Sequence, residues 1–187
     1  MANAFVQSID SMSIPLGHLQ KYTSSNSFAE FYSSTFPIFA LSPEVSKTDL
    51  LQVAGKANEQ AQQELGFSCA ELADMGLAAG IPDHWELRKQ SPPEAVRWYH
   101  DAFDCDGDSE NDEPQWYPLG FIGVLGLDWR ERGVVLVYLD AQQGQTREEE
   151  ITVNAYRLHA GQIGPTIVSL RQGDDDYENV KKASVID

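Results

Sequence analysis

The sequence predicts an α+β fold: a helical N-terminal half packed on one face of an antiparallel sheet of about four strands from the C-terminal half. Three observations carry that expectation. Three capping boxes fall within residues 27–94. Past residue 118 the apolar pattern changes to short β-branched runs. The links between those runs are too short for helical crossovers, which favours a meander over parallel βαβ units. With 187 residues and 42% hydrophobics, the chain can build one core. The expected division is a single α+β domain over 1–171 and a polar acidic tail over 172–187. Within the domain, helices take 27–104, an acidic loop 104–118 and the meander 119–171.

The elements follow from local chemistry. Ser27-Phe-Ala-Glu30 has the capping-box pattern, in which a hydroxyl bonds a free backbone N–H and a glutamate reaches back. It predicts a short helix that stops before Pro37. Thr48 or Asp49 opens a longer helix, with Leu50, Leu51, Ala54, Ala57, Ala61 and Leu65 at helical spacing and Gly66 at its end. Ser68–Glu71 is a second box, followed by Leu72, Met75, Leu77 and Ala78 and ended by Gly80 and Pro82. Ser91-Pro-Pro-Glu94 is a third box, with Pro92 at the first helical position, where a missing N–H costs nothing. Val96, Trp98, Tyr99 and Phe103 continue that helix. Four strand candidates come next: Leu119–Leu127, Gly133–Asp140, Glu150–Leu158 and Ile163–Leu170. Asp128–Arg132 reads as a turn, and Pro165 sits near a strand start, where it is tolerated.

Charge is the strongest functional signal. The net charge is −16. Residues 1–100 hold six basic and eleven acidic side chains, and residues 101–187 hold seven and eighteen. Such a balance argues against nucleic-acid binding, which needs clustered Lys and Arg, and against an anionic membrane surface. No apolar run approaches the ~18 residues that span a bilayer. The N-terminus lacks a basic region followed by an apolar stretch, so a cytosolic location is expected. Cys69 and Cys105 are too few for a disulfide framework, and carboxylates around Cys105 disfavour its thiolate.

Between Arg97 and Arg130 the chain has no lysine or arginine. Asp104, Asp106, Asp108, Glu110, Asp112 and Glu113 crowd into this window, followed by Trp116 and Tyr117. The alternating carboxylates resemble a calcium loop only superficially. An EF-hand needs glycine at its sixth position and glutamate at its twelfth, and here those are Ser109 and Gln115. No metal or cofactor is therefore expected. His100 stands beside Asp101 and four residues before Asp104, an arrangement open to acid–base or metal chemistry. A histidine in a last helical turn is also the ordinary complement of the helix dipole. His84-Trp-Glu86 lacks the spacing of a two-histidine zinc helix, and no nucleophile elbow, phosphate loop or dinucleotide fingerprint is present. Gly120, Gly123 and Gly126 fall in a strand candidate and read as bulges or close packing.

The expected function is non-enzymatic: an acidic protein that neutralises a basic protein partner, in the manner of an immunity protein or antitoxin. The carboxylates at 104, 106, 108, 110, 112 and 113 would mimic nucleic-acid phosphates and steer the partner in. Trp116 and Tyr117 would anchor it. The alternatives are a small enzyme or ligand-binding domain with its site between sheet and helices, using His100 or His159, and a structural component of a phage or secretion apparatus.

Overall fold

The computed structural model describes residues 2–23, 34–87, 90–103, 105, 115–142 and 144–172. The box at Ser27–Glu30, the carboxylates at 104, 106, 108, 110, 112 and 113, and all of the tail after Gln172 lie outside them.

The described helices are α1 (Ala2–Ile9), α2 (Gln20–Thr23), α3 (Lys47–Leu65), α4 (Cys69–Asp74), α5 (Pro92–Ala102), α6 (Trp129–Arg132) and α7 (Ile163–Gln172). The strands are β1 (Met12–Pro15), β2 (Phe36–Ala40), β3 (Ala79–Gly80), β4 (Gly120–Val124), β5 (Val134–Asp140) and β6 (Glu150–Leu158). They form one six-stranded sheet in the order β1-β6-β5-β4-β2-β3. The class is α+β, as expected. The sheet is mixed rather than antiparallel, because β2 pairs in parallel with both β3 and β4. Three of its strands come from the N-terminal half, so helices and strands are not divided between the halves. The central strands β4, β5 and β6 pair as the predicted meander does.

Helices cover both faces, not one. Phe39 of β2 and Phe121 of β4 pack against Tyr99 of α5. Phe36 has the opposite strand parity. It stacks on Tyr117, whose other neighbour is Arg171 of α7. Side chains alternate across a strand, so α5 and α7 lie on opposite faces. That double cover explains why every residue of β2 and β4 is buried.

The boxes at Ser68 and Ser91 open α4 and α5 as predicted. A further box opens α3: the Ser46 backbone N–H donates to the Asp49 carboxylate at 2.9 Å, and Asp49 N–H donates to the Ser46 hydroxyl at 3.3 Å. Gly66 closes α3 at φ 71°, a left-handed conformation that suits glycine. On α3 the buried face runs through Leu50, Val53, Ala54, Ala57 and Ala61, whereas Leu51 is 58% exposed.

Hydrogen bonds from the capping serines hold the carboxyls of Asp49, Glu71 and Glu94 below their ordinary range. The sign follows directly. These caps contribute fully above the ordinary carboxylate pKa of ~4, and the contribution disappears as pH falls through the depressed values. Helical circular dichroism should therefore decline first below about pH 4. Ser46→Ala, Ser68→Ala and Ser91→Ala variants should lose part of that acid-induced decline, and a decline identical to that of the unaltered protein would contradict the assignment.

The Ile163–Leu170 run is a helix, not a strand. Pro165 sits in the first turn, where no intrahelical N–H is needed. Gly164 allows close approach to α3: a Cβ there would stand 2.3 Å from the Ala57 carbonyl oxygen. The Gln60 side chain completes the contact, accepting from Gly164 N–H at 2.9 Å and donating to the Ala160 carbonyl at 2.8 Å. Asp128–Arg132, read as a turn, contains the short α6.

Candidate functional site

The acidic segment leaves and rejoins the core at one point. Trp116 N–H donates to the Cys105 carbonyl at 2.9 Å, so the residues flanking 106–114 are bonded to each other. Thr35 N–H donates to the Gln115 carbonyl at 2.9 Å, and Tyr117 N–H donates to the Thr35 carbonyl at 2.8 Å. This is the start of a parallel ladder, and its next rung would join residue 37 N–H to the Tyr117 carbonyl. Residue 37 is proline and has no N–H. The Tyr99 hydroxyl takes over that acceptor, and it also lies 2.9 Å from the Gly120 carbonyl. Pro37 therefore interrupts the ladder, which resumes in a shifted register at Ile38 and Ile122, and α5 supplies the substitute donor from its buried face.

Burial pushes the Tyr99 phenol well above its ordinary pKa, so the hydroxyl stays a donor at every physiological pH. Tyr99→Phe leaves the Tyr117 carbonyl without this bond. It should cost about 1–3 kcal/mol, the usual penalty for an orphaned buried acceptor. A melting temperature equal to that of the unaltered protein would show that the rung is not needed.

The two predicted aromatic anchors are part of this stem. Trp116 is partly buried against the core. Its ring covers β3, lying 3.2 Å from the position of a Cβ on Gly80. Tyr117 is 5% exposed. Its ring is held between Phe36 and the Arg171 guanidinium, and its hydroxyl accepts from Tyr138 and Arg171. Desolvation raises the Tyr117 pKa, while the Tyr117 phenol beside it is the main cause that raises that of Tyr138. Tyr117 therefore braces the stem from inside. Cys105, on the other side of the stem, is buried as well.

The histidines separate by environment. His100 is buried in the last turn of α5. Its Nδ1 lies 2.5 Å from an Asp101 carboxylate oxygen, and its Nε2–H donates to the Leu16 carbonyl at 3.2 Å. His18 meets its ring edge-on, with centroids 5.3 Å apart. The pairing of His18 with His100 spans 82 positions and left no local pattern in the chain. His159 accepts from Gly161 N–H at 3.0 Å and caps a short 3-10 turn. No group of three His, Cys, Asp or Glu side chains suited to a metal ion occurs among the described residues. No described helix is long and apolar enough to cross a membrane.

No protein-family model matches the chain, and neither a curated protein nor a solved structure similar to it was found.

Proposed function

We propose that the protein is a non-enzymatic binder that neutralises a basic protein partner through its acidic segment. The observation that carries this reading is the closed stem. Nine residues, 106–114, separate Cys105 from Gln115, and the flanks are tied by the Cys105–Trp116 bond. A segment that returns to its origin reaches no further than about half its contour length, ~17 Å here. Asp106, Asp108, Glu110, Asp112 and Glu113 belong to this short segment and Asp104 adjoins it, with no lysine or arginine in the chain from 98 to 129. Like charges gathered over about two screening lengths of ~8 Å make a strong local field for a cationic surface. The immunity-protein or antitoxin role, with carboxylates standing in for phosphates, is the specific form of the proposal. Trp116 borders the segment, and Tyr117 supports it from the core.

The test is capture from the native cell at low and then moderate salt, using the unaltered protein beside a variant with Asp104, Asp106, Asp108 and Asp112 all changed to Asn. A basic protein should be retained at low salt, released as salt rises, and lost with the variant. Equal retention by the variant, or a partner of acidic charge, would overturn the reading.

A further inference from the structure

Against its overall charge, the fold builds a cationic pocket. Leu16 N–H donates to the Glu149 carbonyl at 2.8 Å, and Gly17 N–H donates to the Arg147 carbonyl at 3.1 Å. Gly144 N–H donates to the Thr23 carbonyl at 3.0 Å. These bonds lay residues 144–149 along the 16–23 segment. Between the two strips lies a cavity of about 370 Å³, lined by Gly17, His18, Gln20, Lys21 and Arg147. No described carboxylate lines it. The Glu149 carboxylate accepts from Thr146 N–H.

We infer that this pocket is a binding site for a small phosphorylated ligand, whose phosphoryl group sits among Lys21, Arg147 and His18. Arginine offers a planar fork of donors that matches phosphate oxygens, lysine offers a mobile point charge, and imidazole adds a third donor. The volume exceeds what a phosphoryl group needs and lies in the range of small-molecule pockets, so an organic portion fits beside it. Two features keep the site in shape. Gly17 holds φ +57°, and a Cβ there would stand 3.2 Å from His100 Cε1. His100 in turn fixes the Leu16 carbonyl from below. This site does not rest on the function proposed for the acidic segment.

Proton linkage gives the site a signature. Burial is the first cause that lowers the His18 pKa, followed by the charges of His100 and Lys21, with Arg147 adding to them. Asp101 on α5 opposes them. A bound phosphate anion reverses the local sign, so it should raise the His18 midpoint.

The experiment follows the four imidazole Cε1 protons by NMR through a pH titration of the full chain. It is run with inorganic phosphate, with pyrophosphate and with chloride at matched ionic strength. His18→Gln identifies the His18 resonance. Phosphate or pyrophosphate should move the His18 midpoint up by about one pH unit relative to chloride, as an opposite charge within ~5 Å does. His84 and His159 should not move. Lys21→Gln and Arg147→Gln, each checked by thermal melt, should each reduce that movement, and the double variant should abolish it. No difference between phosphate and chloride, or an equal movement of all four histidines, would overturn the assignment.

Discussion

Phe39→Ala should destabilise the fold by about 3–5 kcal/mol, the usual cost of deleting a fully buried phenyl ring. Phe39 has no exposed surface, and its ring meets Trp98, Tyr99, Phe103 and Phe121 edge-on at centroid distances of 5.3 to 6.2 Å. Such aromatic pairs add to plain burial. It also stands where β2, β4 and α5 meet, so little can collapse into the space it leaves. For a chain of this size the melting temperature should fall on the order of 10 °C. Leu51→Ala is the matched control. Leu51 is the predicted core residue of α3 that the structure leaves exposed, and its loss should change stability by less than about 0.5 kcal/mol. Equal melting temperatures for the two variants would contradict the placement of the core.

The second large effect is expected from one added methyl group. Gly164→Ala puts a Cβ 2.3 Å from the Ala57 carbonyl oxygen, 2.8 Å from Ala61 N and 2.7 Å from Gln60 Cβ. Two of those neighbours are α3 backbone and cannot rotate away. The helices must separate, which also breaks the Gln60 bonds to Gly164 and Ala160. The cost should reach about 3 kcal/mol, the upper end for overpacking. Gly123→Ala gives a nominally closer contact, 2.2 Å, but with Leu41 Cδ1 at the end of a partly buried side chain. Leu41 can change rotamer, so that variant should lose less than half as much. The reverse ranking in urea unfolding would show that α3 and α7 do not pack as described.

Much of the framework was legible where signals are local. The boxes at Ser68 and Ser91 placed two helix starts, and the β-branched run at 134–140 placed the central strand β5. The box at Ser46 was less visible, because aspartate rather than glutamate occupies its third position. β1, β2 and β3 were missed for a different reason. They have four, five and two residues, too short for a period to register, and their partners lie far away in the chain. Pro37 read as a helix stop, whereas it interrupts a parallel ladder whose missing rung Tyr99 replaces. Ile163–Leu170 misled because β-branched residues usually mark strands; tertiary contact at Gly164 and Gln60 outweighs that weak preference. The acidic segment was plain in the sequence, but its closed stem depends on Thr35, 70 positions before Cys105. Likewise, Lys21 and Arg147 are brought together only by the fold.

The central claim is that the acidic segment draws in a basic partner. Stopped-flow association with the captured partner, from low ionic strength to several times physiological, tests it most directly. The unaltered protein should associate fast at low salt and slow steeply as salt rises, because steering is screened beyond ~8 Å at physiological ionic strength. With Asp104, Asp106, Asp108 and Asp112 changed to Asn, the rate at low salt should fall about tenfold and the salt slope should flatten. Thermal stability should barely change, as for most surface substitutions. An unchanged rate and salt slope in that variant would contradict the account, leaving the acidic segment as solvated surface.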